Sequence, residues 1–421
     1  MSEGARIAER LRRHEGGGLR SFAETPPLVW EKARGCHVED ADGKRYLDLY
    51  GGYAVAAIGY SHPRVVAAIR AQAETLMHCP SAHPSRVRAE FYEALAAIAP
   101  AGLDRFLPAV TGAMANEMAV LLAKKRRPQG TLIAFTGGYF GRSVGTAGLA
   151  GKAKYREAIG LPAAAQFVPF PYPLRHGARA TDATMAALEA LAAPGGGAGE
   201  IAGVILEPIQ GNGGVVIPPA DFLPRLRQFC DRTGALLVLD EIQSGCGRTG
   251  RMWACEHAGV TPDLMTIGKG IGGGLAVAAV LGTTESMSWK PDSYTSTFLT
   301  NNLNLAAAVA AIEVLRSEQL AARAAAIGPG GLAQLRRGLE GVQGLRELRG
   351  IGLWYAAELE DAAWAGRAVR LARERGVLIG RSGYDDNVVK MSPPLVIGEG
   401  ELKEGLGVVA AAIRDSRETA H

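Results

Sequence analysis

Apolar and polar positions along the chain fall into three regimes. Over residues 1–60 the apolar positions are sparse: a short amphipathic helix is predicted near Ile7 and Leu11, a turn at Pro26-Pro27, and brief strand-like pieces around Asp42-Gly43. Such a segment cannot bury itself, so it is expected to be an arm packed on the last part of the chain. From 61 to 305, apolar strand-like runs alternate with helical stretches; Leu132–Phe135, Gly203–Leu206 and Ala235–Leu239 are examples. That alternation predicts a large α/β domain with a mainly parallel sheet. Beyond 305 an Ala-rich helix leads to strands near Leu345–Glu360, a helix near Ala362–Arg375, strands through Val389 and a terminal helix from Glu401, which predicts a smaller α/β domain over 306–421. The Gly-rich stretch Pro194–Gly199 reads as a connector.

Composition narrows the class. A chain of 421 residues, 48% apolar, buries a sizeable core in two or three domains. Its net charge is +4 and its basic clusters, Arg10–Arg13 and Lys124–Arg127, are short, which argues against nucleic acid as a partner. The second cluster closes a helical pattern before Pro128, where cations complement a helix C-terminus and are expected to face water. Five cysteines form no Cys-x-x-Cys pair and no zinc spacing. Reduced thiols, no metal and a cytoplasmic location are expected. His14, Glu15 and three glycines follow Arg13 where an export signal would be apolar, and runs such as Ala276–Leu281 are too short to span a bilayer, so no membrane association is expected.

Candidate chemistry collects at the ends of the apolar runs, where ligands bind in open α/β sheets. Ala235–Leu239 ends in Asp240, and Lys269 follows 29 residues later beside the glycines of Gly268-Lys269-Gly270-Ile271-Gly272-Gly273-Gly274. An amine desolvated among glycines is suited to a Schiff base with an aldehyde, and a carboxylate can keep a pyridine nitrogen protonated; together they are what pyridoxal phosphate requires. A nucleotide phosphate loop would instead place Lys and then Ser or Thr after its glycines. Thr111, Gly112 and Ala113 precede a helical pattern whose N-terminal amides can hold a phosphate, although Thr111 also reads as an ordinary N-cap. Gly138-Tyr139-Phe140-Gly141-Arg142 offers an aromatic for a planar ring and an arginine for a carboxylate; each alone reads equally as core or solvated surface. Gln243 can donate to the cofactor's phenolic oxygen, and Glu207 offers a supporting carboxylate.

With Glu207-Pro208-Ile209-Gln210-Gly211, Ser296-Thr297-Phe298 and Pro393-Pro394-Leu395 added to these motifs, nearly the whole chain resembles the class III aminotransferases, which are fold type I pyridoxal phosphate enzymes. The resemblance implies an aminotransferase that moves an amino group between a carboxylate-bearing donor and a keto acid or aldehyde acceptor. Lys269 would be the Schiff-base lysine and proton shuttle, with Asp240 on the ring nitrogen, Gln243 on the phenolic oxygen, Tyr139 stacked on the ring, and Gly112 and Ala113 on the phosphate. Thr297 would reach the phosphate in a neighbouring subunit, which implies a homodimer with shared sites. Arg142 and Tyr53 would contact substrate, Tyr53 reading equally as simple packing.

One departure stands out. In relatives acting on ω-amino groups, a glutamate just after the Glu-Pro-x-Gln motif pairs with an arginine before the Pro-Pro; here those positions are Asn212 and Lys390. Lys390 reads either as a second anion site, a point charge without arginine's planar fork, or as a surface charge. The loss of that pair keeps open an amino-acid racemase, epimerase or lyase on the same scaffold. A non-catalytic interaction protein is disfavoured by the joint presence of Lys269, Asp240, Gln243 and Arg142.

Overall fold

A computed structural model describes residues 1–19, 21–22 and 26–418, and its chain is organised on three sheets. The largest has seven strands in the order Arg105–Ala109, Ala278–Gly282, Leu264–Ile267, Leu236–Asp240, Ile201–Leu206, Thr131–Phe135 and Gln166–Val168. Ala278–Gly282 is antiparallel to both neighbours, and the remaining pairs are parallel. The apolar runs singled out in the sequence are its central strands. Every residue of Ile201–Leu206 and of Leu236–Asp240 is buried, because helices cover both faces and leave no polar side to alternate with. Val238 packs with Met118 and Leu122 of the helix Gly112–Arg126, while Leu237 and Leu239 face the cluster holding Phe222, Leu226 and Phe229 of the helix Phe222–Thr233. Each such aliphatic side chain removed from water stabilises the fold by about 1.5–3 kcal/mol.

An antiparallel sheet of Leu345–Ile351, Trp354–Leu359, Val388–Met391 and Gly380–Ser382 packs with the helices Leu320–Gly338 and Ala362–Glu374. The third sheet links the two ends of the chain. Trp30–Arg34, His37–Asp40 and Arg45–Asp48 pair antiparallel, and Arg45–Asp48 pairs parallel with Val377–Leu378. The helix expected near Ile7 and Leu11 spans Glu3–His14 and is capped by the Ser2 side chain. Of the expected arm and C-terminal domain, residues 20, 23–25 and 419–421 lie outside the described residues. All five cysteines are buried free thiols.

One expectation is corrected. Only part of Lys124–Arg127 faces water: Lys124 Nζ donates to the Gly130 carbonyl at 2.8 Å, and Arg127 Nη1 donates to the Ile201 and Thr233 carbonyls at 2.6 and 3.0 Å. The long side chains thus donate to carbonyls at a strand start and a helix end instead of extending into water. At the opposite end, the loop 210–214 is clamped between units. Arg349 Nη2 donates to the Gly214 carbonyl at 2.7 Å, and the Gly383 amide donates to the Asn212 carbonyl at 3.1 Å. That seam brings Lys390 of the C-terminal sheet to the carboxyl ends of the large-sheet strands.

Candidate active site

Leu236–Asp240 and Leu264–Ile267 are neighbouring parallel strands with Asp240 opposite Thr266, so both chains leave the sheet at one edge. Asp240 ends its strand, and Gly268 carries the other chain to Lys269. Lys269 has φ +44°, in the left-handed region, where a non-glycine residue costs on the order of 1–3 kcal/mol. Burial pushes its amine below the ordinary lysine range, and the nearby charges of Asp240 and Glu207 oppose that shift. The net lowering makes the neutral, nucleophilic form of the nitrogen easier to reach than in an exposed lysine.

Asp240 is held rigidly. Its Oδ2 accepts from Asn116 Nδ2 at 2.7 Å and its Oδ1 from the Ile242 amide at 2.9 Å. Asn116 also donates to the Phe140 carbonyl at 3.0 Å and accepts from Thr266 Oγ1 at 2.8 Å. One buried amide thus joins the helix Gly112–Arg126, the Gly138–Arg142 turn and two strands. Asp240 is 4% exposed, and burial raises its carboxyl to about 6 despite those hydrogen bonds and Lys269. Beside it, Glu207 accepts from the Tyr139 amide at 3.0 Å and the Gly211 amide at 2.8 Å. Burial, and then Asp240, lift Glu207 to about 7.

At the helix start, Thr111 Oγ1 accepts from the Met114 amide at 3.2 Å, so the capping role is present and its hydroxyl proton remains able to donate. The amides of Gly112 and Ala113 have no carbonyl partner within the helix. Two glycines bring chain close to this point. Gly141 has φ +120°, and a Cβ on it would lie 2.5 Å from Ala113 Cβ; a Cβ on Gly112 would lie 2.7 Å from Ile242 Cδ1. Gln243 stands over Gly211, where a Cβ would meet its Oε1 at 2.0 Å.

Arg142 is exposed, with its guanidinium 4.7 Å over the Tyr155 ring. That ring meets Tyr139 edge-on at 5.4 Å, and its hydroxyl donates to Asn212 Oδ1 at 3.0 Å. Lys152 Nζ donates to the Asn212 and Gly383 carbonyls, the former at 3.2 Å, and burial lowers it to about 8. Lys390 is no surface charge: at 5% exposure it is buried, because it stands on a strand in the middle of the C-terminal sheet, between Val389 and Met391. Tyr53 and Thr297 are not brought to Lys269 within one chain. Tyr53, 56% exposed and at φ +65°, lines a separate cavity of about 640 Å³ with Tyr50, Arg370 and Arg381. Thr297 is exposed beside Phe298. Sequence reasoning gave no role to Asn116, Tyr155 or Lys152; a polar residue on the otherwise apolar inner face of the helix was the signal for Asn116.

These residues fit pyridoxal phosphate. Asp240 is a buried carboxylate whose hydrogen bonds come from neutral donors, suited to a protonated ring nitrogen, and the start of the helix Gly112–Arg126 offers amides without a carbonyl partner in the helix, suited to a phosphate. When bound, the cofactor supplies an aldehyde for amines and a conjugated ring that accepts an electron pair. The sheet order and this constellation define a fold type I pyridoxal phosphate enzyme. Comparison with known proteins narrows that: residues 21–413 match the family described as aminotransferase class-III, and the chain belongs to it. The acetylornithine aminotransferase of Methanothermobacter thermautotrophicus is 38% identical, over 92% of this chain and 94% of that protein. The 5-aminovalerate aminotransferase of Pseudomonas putida is 35% identical, over 93% and 94%. The structure of the ornithine aminotransferase from Toxoplasma gondii superposes with a TM-score of 0.88 at 29% identity, covering 100% of this chain and 97% of that one. The protein is a pyridoxal phosphate-dependent aminotransferase, as the resemblance implied.

Among the described residues no helix is long and apolar enough to cross a membrane, and no cluster of His, Cys, Asp or Glu is arranged to hold a metal.

Proposed function

We propose that the amino donor bears a carboxylate, bound at the mouth of the pocket by Arg142. The observation that carries this is the aromatic and cationic wall there: Arg142, Lys152 and Lys154 lie 4.7, 5.8 and 5.6 Å from the centroid of the Tyr155 ring, which packs on Tyr139. The names of the relatives, acting on acetylornithine, 5-aminovalerate and ornithine, support an amine remote from a carboxylate. In this reading Lys269 Nζ would take the proton from the donor carbon and deliver it to the cofactor's aldehyde carbon rather than back to the donor, and Asp240 would hold the ring nitrogen protonated. Gly112 and Ala113 bind the phosphate, Gln243 the phenolic oxygen, and Tyr139 covers the ring. Arg142→Gln should raise KM for 4-aminobutyrate on the order of 10²-fold and leave butylamine, which lacks the carboxylate, within a factor of about three. An equal change for both amines would refute the carboxylate assignment.

The working unit is a homodimer with shared sites, in which Thr297 of one protomer reaches the phosphate of its partner and Tyr53 lines the substrate entrance. Exposed Leu76, Met77 and Phe298, the last with its ring 5.5 Å from His78, support a covered face beside Thr297. Residues 1–60 form the arm, 61–305 the cofactor-binding domain and 306–421 the small domain, in a cytoplasmic enzyme whose thiols stay reduced.

A further inference from the structure

The separate cavity of about 640 Å³ lies at the edge of the C-terminal sheet, and none of its lining residues belongs to the group around Lys269. Gly366, Val369, Arg370 and Arg373 recur at intervals of three and four along the helix Ala362–Glu374, so they share one face and put two guanidiniums on the same wall. Arg381, on the edge strand Gly380–Ser382, adds a third. Gly366 leaves room for it: a Cβ there would lie 3.1 Å from Arg381 Nη1, and that nitrogen donates to the Ala362 carbonyl at 3.1 Å. Among the described residues the lining holds no acid, and Arg370 and Arg381 form no ion pair. The acids near these elements are engaged elsewhere: Asp361 accepts from the Trp364 amide at 2.7 Å, Asp385 pairs with Arg175, and Asp386 pairs with Lys154.

Aromatic rings complete the lining, from Trp30, Tyr50 and Tyr53. Tyr53 is held there under strain. Gly51, Gly52, Tyr53 and Ala54 have φ of +63°, +53°, +65° and +65°, four left-handed residues in succession, a conformation that glycine takes freely and a bulky tyrosine does not. Asp48 fixes the turn, its Oδ1 accepting from the Tyr50 amide at 2.7 Å and its Oδ2 from the Tyr60 hydroxyl at 2.6 Å. Strain of this kind collects at ligand sites, and it is an observation independent of the arginines.

We propose that this cavity is a binding site, distinct from that of the cofactor, for a phosphate ester carrying a planar ring. Arginine forks match phosphate oxygens in pairs and stay charged at every working pH, while the faces of tryptophan and tyrosine take a planar ring. The volume is that of a pocket for an organic molecule. An apolar ligand would leave the arginines without a counter-charge, and an inorganic anion would leave the rings uncovered. Two sources share the required chemistry, a nucleotide and a phosphorylated relative of the cofactor.

The test is calorimetric titration of the cofactor-loaded enzyme, whose own phosphate site is filled, with ADP and with pyridoxine 5′-phosphate, which has no aldehyde to react with a lysine. Pyrophosphate and adenosine supply the charge and the ring alone. At least one ester should bind, once per chain, and the tighter of the two names the source. Pyrophosphate and adenosine should each bind at least about tenfold more weakly than that ester. Arg370→Gln and Arg381→Gln should each weaken the ester about tenfold or more, and Trp30→Leu should weaken it about tenfold without changing pyrophosphate. Both arginines are exposed, so their variants should keep wild-type cofactor affinity, a control that separates loss of the site from loss of the fold. No binding of either ester at about 1 mM, equal affinity for pyrophosphate, affinity that both arginine variants leave unchanged, or strict competition between ester and 4-aminobutyrate overturns the proposal.

Discussion

Replacing Asn116 by alanine should damage the site more than replacing any other residue that does not touch the cofactor or substrate. The substitution deletes three hydrogen bonds, leaving Asp240 Oδ2, the Phe140 carbonyl and the Thr266 hydroxyl without their partner. A buried polar group left unpaired costs about 1–3 kcal/mol. Thr266 can rotate its hydroxyl, and a water can enter the vacated space, so a total of about 3–5 kcal/mol is expected, a large share of the roughly 5–15 kcal/mol that holds most folds together. The chemical effect is separate. The Asn116 hydrogen bond holds the Asp240 carboxyl down against burial, so its loss moves that carboxyl up from about 6 toward neutrality. More of Asp240 is then protonated at pH 7 and cannot hold a protonated ring nitrogen. Cofactor titration of Asn116→Ala should show a defect of about tenfold or more at pH 6.5 that shrinks by pH 8.5, as Asp240 ionises again. Urea unfolding of the apoenzyme measures the stability term. A variant within about 1 kcal/mol of wild type, or a binding defect independent of pH, would refute the role given to Asn116.

Gly141→Ala should lower cofactor affinity about 10- to 100-fold, because at φ +120° its new Cβ would lie 2.5 Å from Ala113 Cβ and force the turn away from the helix start; equilibrium dialysis of the cofactor checks it. Stability against pH follows from four buried groups. Asp240 and Glu207 are raised to about 6 and 7, so stability they contribute in acid is lost as pH rises through those values. Lys152 and Lys390 are lowered to about 8 and 7, so stability present in base is lost as pH falls through those values. Both penalties are in force near pH 7, and the rise in Tm on loading the apoenzyme with cofactor should be larger there than at pH 5 or 10; differential scanning calorimetry at the three values measures it. Phe298→Asp places a charge on a side chain 58% exposed within one chain, and should shift the sedimenting species from dimer to monomer with loss of cofactor affinity.

Much of this was legible in the sequence, for a physical reason. Strands covered on both faces are unbroken apolar runs, so Ala235–Leu239 and Gly203–Leu206 announced themselves, and the chemistry of an α/β sheet sits at the residue where such a run stops. Asp240 was found that way, and Lys269 by the glycines around it. What stayed hidden depends on contacts between distant positions. Asn116 acquires its role from partners 24, 124 and 150 residues away, and the left-handed backbone of Lys269 has no signature in residue type. Lys390 looked ambiguous because one lysine among apolar neighbours reads the same on a covered strand and on an edge strand. Its burial is decided by the sheet order, with Trp354–Leu359 on one side and Gly380–Ser382 on the other.

The central claim, that Lys269 and Asp240 serve transamination, is tested most directly without any acceptor. Single α-amino acids and ω-amines are added to the cofactor-loaded enzyme while its long-wavelength absorbance, the carbonyl product and the optical purity of recovered amine are followed, with Lys269→Ala as control. One class of carboxylate-bearing amine should bleach the absorbance and release one carbonyl product per site, and Lys269→Ala should do neither. Persistent absorbance with loss of optical purity in the wild-type enzyme would contradict it and make the chain a racemase.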